Sequence, residues 1–324
     1  MPYQLIITNL TQNQTTYTVC GLYEDRRLVE LHGQRADSQG LLGNIYVGRV
    51  KDVVKNLNAA FIEIKPGLAC YFSLEDLKNP VYVKKINSPR LVQGDELYVQ
   101  VEKESMKTKP PRVSVNLSFT GKYLVLTTGN QTLGLSKKLD RETRSRLKAL
   151  VEPHRDPRFG LVLRTNSQTA SETQILSELS ELTGQARELL EKAPYQTCFS
   201  CMRRQPPEFL TVLQNVYTKD LEEIVTDDET LYGEISRYLT RHQPEDLPKL
   251  RRYEEKLLSL AKCYSLEVKL AEALKERVWL KSGGYLLIQP TEALTVIDVN
   301  SGKSTLKVKA AGPKNGETGS TAYQ

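Results

Sequence analysis

No stretch of this sequence reaches the roughly 18 apolar residues that a membrane-spanning helix needs. Its first residues, MPYQLIITNLTQNQTTYTV, lack the basic-then-apolar order of a secretory leader. A cytoplasmic protein with no membrane span is expected. Also missing are a Gly-rich phosphate loop, an internal repeat and a low-complexity tract, which sets aside P-loop chemistry and solenoid folds. Cysteine is sparse and odd in number, five in 324 residues, so reduced thiols are expected rather than a disulfide framework. Cys198 and Cys201 in TCFSCMRR have CxxC spacing. No second CxxC or HxxxH nearby completes the four ligands of a structural zinc, and the pair reads as two ordinary thiols.

With 39% hydrophobic and 26% charged residues, the composition is that of a globular chain long enough for two or more cores. The formal net charge of +6 suits a polyanionic partner without demanding one.

The first forty residues alternate in the strand manner, with Asn, Gln and Gly at the turns, and predict a small antiparallel unit. From Gly43 to about Thr120, the segments NIYVGRVKDVV, AAFIEI, ACYFSL, DELYVQVEKES and RVSVNLSF predict five short strands. That number in about eighty residues suits a small closed barrel of the OB type, which binds single-stranded nucleic acid on one face. Tyr46, Phe61, Tyr71 and Phe72 fall in these strands. Adjacent residues face opposite ways, so Tyr71 and Phe72 cannot both point inward, and one ring is left to stack on a base or to cover a loop. Nearby, EKESMKTKPPR offers Lys103, Lys107, Lys109 and Arg112, either as a solvated loop or as a track for a phosphate backbone.

GKYLVLTTGN and FGLVLRTN predict a further strand pair. TASETQILSELSELTGQARELLEKA then places Ile175, Leu179, Leu182, Ala186 and Leu189 at helical spacing, with Ser171 and Gln174 as a capping box. A helix and strand follow in PPEFLTVLQNVYTKDLEEIVTDD, then a helix around Leu231 to Thr240, a loop containing HQPEDLP, and a long helix in SLEVKLAEALKER. Ser282, Gly283 and Gly284 predict a hairpin turn between two short strands, with a third strand carrying Asp298.

Two constellations carry chemistry. Asp298 and Asn300 lie two apart on a strand and share a face, with Ile297 and Val299 expected to pack on the other. A carboxylate and an amide there suit a magnesium ion that keeps most of its waters, although an Asx turn would also explain them. In GLVLRTN, the fork of Arg164, the hydroxyl of Thr165 and free N–H groups at the following helix start would suit a terminal phosphate; a plain surface arginine is the alternative.

LKSGGYLLIQPTEALTVIDVNSGKST closely resembles the catalytic-core signature of the bacterial ribonuclease E/G family. GNIYVGRVKDVVKNLNAAFIEI and GLVLRT also resemble that family, in its order, over about residues 1–305. The resemblance implies a magnesium-dependent endoribonuclease that cuts single-stranded RNA in RNA processing or decay, often preferring a 5′-monophosphate end. It implies an α+β fold: an RNase H-like scaffold (1–39 and 209–277) with an inserted OB-fold RNA-binding barrel (40–119) and a 5′-end sensor (120–208). An incomplete DNase I-like catalytic domain (278–305) would follow. By position, Asp298 matches the family's metal-binding aspartate, Asn300 its assisting asparagine, and Arg164 with Thr165 the pair that reads the 5′ phosphate. Phe61 matches an aromatic that stacks on RNA, Tyr71 stands where the family has another, and Lys109 falls near a lysine that contacts the strand; Lys103 joins this RNA-binding set.

Departures from the family pattern are also legible. RTNSQT replaces the Gly- or Ala-containing segment usual after the Arg-Thr pair. Past about Thr305 the sequence lacks the family's second metal-binding aspartate and its zinc-binding Cys-Pro-x-Cys motif. Residues 306–324, rich in Gly, Lys, Thr and Ala, read as a flexible tail. A truncated or frame-shifted member, or a fragment, is therefore expected, with no zinc, no zinc-linked dimer and a monomeric state. Its alternative function is to hold single-stranded RNA without cutting it.

Overall fold

The computed structural model describes residues 3–37, 40–105, 109–216, 221–255, 257–291 and 294–302. The chain divides into two compact units, Met1–Glu267 and Val268–Gln324.

The first unit opens with an antiparallel meander: β1 (Tyr3–Gln12), β2 (Thr15–Glu24) and β3 (Arg27–Arg35). The turns between them use Asn13, Gln14, Asp25 and Arg26 at positive φ.

A barrel follows, built from β4 (Ile45–Val54), β5 (Ala59–Lys65), β6 (Leu68–Ser73), β7 (Tyr82–Lys84), β8 (Glu96–Lys103) and β9 (Arg112–Ser114). The hydrogen-bonded order β4-β5-β6-β9-β8 returns from β8 to β4, which closes a five-stranded ring. Tyr46, Ile62, Cys70, Phe72, Leu97 and Val99 fill it. Tyr46 and Phe72 are thus core residues, while Phe61 and Tyr71 point the other way and stay half-buried.

The next sheet comprises β10 (Ser118–Thr120), β11 (Leu124–Thr127), β12 (Leu133–Leu135) and, after helix α1 (Arg141–Val151), β13 (Gly160–Leu163), in the order β10-β11-β13-β12. Helix α2 (Glu172–Glu191) covers it. Its buried side chains are Ile175, Leu179, Leu182, Ala186 and Leu189, the predicted stripe, and Ser171 and Gln174 form the predicted capping box. No helix was read at α1, because only Leu147 and Val151 are buried along its eleven residues, too few to impose a visible period.

Strand β14 (Cys201–Arg203) pairs with β4, and α3 (Glu208–Asn215) leads to β15 (Leu221–Thr226), α4 (Glu229–His242) and β16 (Leu250–Arg252). Here the chain returns to its start: β15 adds in parallel to β1, giving the sheet β16-β15-β1-β2-β3. Both faces of β1 are covered, Leu5 and Ile7 packing with α3 and α4 residues and Ile6 with Leu260 and Leu266 on the other side. That accounts for the uninterrupted apolar run LII in an otherwise alternating strand.

The long helix expected in SLEVKLAEALKER is a shorter one, α6 (Leu266–Ala273), and a separate four-residue helix, α5 (Leu260–Cys263), precedes that segment. Ser265 between them has φ +52°, outside the helical region, and this ends α5.

The second unit contains a three-stranded antiparallel sheet, β17 (Arg277–Trp279), β18 (Tyr285–Pro290) and β19 (Thr295–Asn300). Gly302 has φ +50°, and a Cβ there would lie 2.7 Å from the Gly283 carbonyl oxygen. Glycine is required at that crossing of two turns. Ile297 and Val299, expected to pack, are 58% and 70% exposed. The sheet is one layer among the described residues, so its apolar face has no second layer to bury it.

Candidate nucleic-acid and metal sites

On the barrel, register builds a row that spans four strands. Phe61 on β5 pairs with Tyr71 on β6, Tyr71 with Arg112 on β9, and Arg112 with Lys103 on β8. The two rings meet edge to face, centroids 6.4 Å apart at 77°. Each ring therefore supports the other and keeps a surface that a planar base could cover. Arg112 donates from Nη2 to Asp76 at 2.8 Å and pairs through Nε with Glu102 at 3.3 Å, so part of its charge is offset. Lys103 is exposed at the strand end. Lys109 is exposed two residues before Pro111, whose carbonyl accepts the N–H of Tyr71. Lys107 lies outside the described residues. Sequence spacing showed the alternation but not that four side chains from distant segments share one line.

Arg164 stands at the end of β13. Its backbone N–H donates to the Tyr123 carbonyl, Nη1 to the Gly121 carbonyl at 2.6 Å, and Nη2 to Asn215 Oδ1 at 2.6 Å. Two of the five guanidinium N–H groups are thus used to fasten β13 to the loop before β11 and to the end of α3. Burial pushes the Arg164 pKa below its ordinary value, with the Glu178 carboxylate acting against that. Glu178 accepts the N–H groups of Lys122, Tyr123 and Leu124 at 2.7–2.8 Å, which fixes the same loop. Thr165 Oγ1 shares a 2.9 Å hydrogen bond with Ser136 Oγ.

Arg164 and Thr165 open onto a cavity of about 870 Å³ that is also lined by Ser136, Lys138, His32 and Tyr3. Sequence reasoning found the Arg-Thr pair and missed Ser136, Lys138 and Asn215, because they arrive from other segments with no shared motif. It also placed a helix start directly after the pair. The structure has a four-residue 3-10 turn, Thr165–Gln168, and α2 begins only at Glu172 with its end capped by Ser171, so no free helix terminus adds to the anion site.

Asp298 and Asn300 project together from β19, Asn300 Nδ2 donating to Asp298 Oδ2 at 2.9 Å. That bond orients the carboxylate and leaves Oδ1 of both residues outside the pair. Asp298 is exposed and Asn300 half-buried. Among the described residues no group of three or more His, Cys, Asp or Glu is clustered to hold a metal ion. Hydrated magnesium is held by one or two carboxylates plus substrate phosphate, so an exposed carboxylate with an oriented amide fits a share of its shell. All five cysteines are free, Cys198 and Cys201 half-buried. No helix among the described residues is long and apolar enough to cross a membrane.

An aromatic–basic barrel row, a cavity whose lining sets Arg164 and Lys138 beside Glu30 and Glu208, and an oriented carboxylate therefore occur in one chain, and sequence comparison shows to which family that chain belongs. It belongs to the ribonuclease E/G family, whose sequence pattern matches residues 118–313. The match runs past Thr305, where the resemblance was expected to stop. The chain is 32% identical over 309 residues to "Ribonuclease G" of Haemophilus influenzae, covering 92% of this chain and 62% of that protein. It is 32% identical over 315 residues to "Ribonuclease E" of Synechocystis sp. (94% and 45%), and 27% identical over 310 residues to "Ribonuclease G" of Escherichia coli K12 (92% and 62%). The chain spans about half the length of the curated relatives it matches.

Proposed function

We propose that this chain binds single-stranded RNA along the barrel row and cleaves it, with magnesium, beside Asp298, as an endoribonuclease of the E/G type. Membership of the ribonuclease E/G family is the observation that carries the reading. The geometry supports it. Phe61 and Tyr71 would stack on bases while Lys103, Lys109 and Arg112 neutralise phosphates, a combination that binds single strands without reading sequence. Arg164 and Thr165 would hold a 5′ phosphate, with Lys138 adding charge from the cavity wall. Asp298 would hold magnesium and Asn300 would keep its carboxylate turned outward. Magnesium, when bound, supplies positive charge beside a phosphodiester.

The domain plan follows the same reading. Residues 1–39 and 209–277 form a split RNase H-like scaffold, supported by the pairing of β1 with β15. Residues 40–119 form the OB-type barrel, 120–208 the 5′-end sensor, and 278–305 the start of a DNase I-like domain. The expected tail, residues 306–324, lies outside the described residues.

A second reading has one observation in its favour: Asp298 is the only carboxylate that the described strands place on its face of the sheet. The chain would then hold RNA without cutting it.

The deciding experiment is cleavage of a 5′-monophosphorylated single-stranded RNA by this chain, with and without magnesium, beside Asp298→Asn. Cleavage that needs magnesium and disappears in the variant while RNA affinity is retained supports the first reading. Binding without cleavage selects the second, and loss of affinity together with cleavage would remove Asp298 from the metal site.

A further inference from the structure

The sheet of the second unit has two unlike faces. Directly opposed residues on antiparallel neighbours share a face, and faces alternate along each strand. The register puts Val278, Leu286, Ile288, Ile297 and Val299 on one side. The other side carries Arg277, Trp279, Tyr285, Leu287, Asp298 and Asn300. Side-chain positions agree with the second grouping: the Trp279 and Tyr285 rings are 5.1 Å apart at 57°, and the Arg277 guanidinium lies 4.7 Å over the Tyr285 ring. Tyr285 is directly opposite Asn300 and diagonal to Asp298, a spacing of about 7–8 Å between strand positions.

Trp279 is 60% exposed. Tyr285 is gripped between the indole and a cation, whereas the indole keeps an open surface. A planar group laid on that surface would have the Arg277 charge on one side and the Asp298–Asn300 pair on the other. An apolar partner would find more to bury on the opposite face, where Ile297 and Val299 stand free. Arg277, in a chain of net charge +6, favours an anionic occupant with a flat ring.

We propose that Trp279 and Tyr285 form a stacking platform for one base of the RNA strand, next to the phosphodiester served by Asp298. The platform rests on the RNA-cleaving reading above and adds to it a means of fixing which phosphate stands at the carboxylate. Stacking accepts any base, so the platform sets the register of the strand and not its sequence. Arg277 is a positioning residue here, because it acts on the base through Tyr285.

Trp279 is the only tryptophan in the sequence, so intrinsic indole emission reports on this site alone. The full chain is titrated with a single-stranded oligoribonucleotide and with a matched oligomer of abasic riboses, and binding is followed separately by gel retention of radiolabelled RNA. Base-bearing RNA should quench the emission saturably, and the abasic oligomer should not do so at full retention. Trp279→Ala and Tyr285→Ala should each weaken affinity about fivefold or more, with Trp279→Phe recovering most of the loss. Retention with unchanged emission and unchanged variant affinities would overturn the platform and leave the RNA reading standing. Equal quenching by the abasic oligomer would also overturn it, by showing backbone docking without stacking. If no RNA is retained at all, the RNA reading fails and the platform with it.

Discussion

Replacing Arg164 by alanine tests a side chain with two duties. The first is structural, since Nη1 and Nη2 donate to Gly121 and Asn215. Hydrogen bonds from a charged donor contribute about 1.5–3 kcal/mol each, and removing the arginine also releases the desolvation cost that depresses its pKa. The net loss of stability should be about 2 kcal/mol, measured by urea unfolding. The second duty is the 5′ phosphate. A guanidinium–phosphate contact of about 1.5–3 kcal/mol corresponds to roughly a 10- to 150-fold preference for a 5′-monophosphate over a 5′-hydroxyl end. The assay is the ratio of dissociation constants for two RNAs that differ only at that end, in 100 mM salt or below so that phosphate contacts are not screened away, on the order of one Debye length of 10 Å. Arg164→Ala should bring the ratio to about one, and Arg164→Lys, which keeps charge without the fork, should leave it intermediate. A folded Arg164→Ala protein that keeps the full preference would refute the sensor assignment. Stability lost as calculated would then mean that Arg164 is a strut between β13 and α3 and nothing more.

Three further outcomes are expected. Phe61→Ala should weaken single-stranded RNA binding by about 1–3 kcal/mol with no change in the unfolding midpoint beyond that of a half-buried ring, and unchanged affinity would remove Phe61 from the barrel row. Lys122 is buried with its Nζ 3.0 Å from Asp246 and 3.2 Å from Gln243, so Lys122→Ala should cost about 3 kcal/mol in chemical denaturation; a cost under about 1 kcal/mol would mean that Lys249, 2.8 Å from Asp246, suffices alone. Burial pushes the Asp95 carboxyl up, but Lys85 at 2.6 Å and the N–H groups of Val92 and Ile86 outweigh it and hold the pKa below the usual aspartate value. The stability this provides is present above the unfolded aspartate pKa and is lost as pH falls through the lowered folded value, so Asp95→Asn should flatten the acid limb of the stability curve. An unchanged acid limb would refute the assignment.

What the sequence disclosed and what it hid follow from range. Ile175 to Leu189 announced α2 because its five buried residues recur within one helix, and Tyr71 beside Phe72 announced a two-faced strand because alternation is local. The joining of β1 to β15 was invisible to spacing, since Gln4 and Glu223 meet across 219 residues. The family resemblance implied a scaffold split between residues 1–39 and 209–277 but named no strand pairing. Ser136, Lys138 and Asn215 escaped for the same reason: each is ordinary in its own segment and gains meaning only beside Arg164. The helix expected over SLEVKLAEALKER starts only after Ser265, whose positive φ lies outside the helical region, and stops at Ala273, so the apolar spacing located the helix but not its length. Asp298 was placed correctly on a strand face with Asn300, while Ile297 and Val299 show that a period-two pattern tells which residues share a side and not whether anything covers it.

The pairing of β1 with β15 also orders events during synthesis. Strands β1 to β3 leave the ribosome first, but the parallel neighbour that completes their sheet is more than two hundred residues behind. The barrel, whose strands all fall within about seventy residues, has its partners in hand much earlier. For that interval the β1 edge is a bare ladder of N–H and C=O groups with LII beside it, the kind of edge that recruits other chains. Slow translation through the barrel and sensor would lengthen the exposure, and a chain released before β15 would carry that edge permanently.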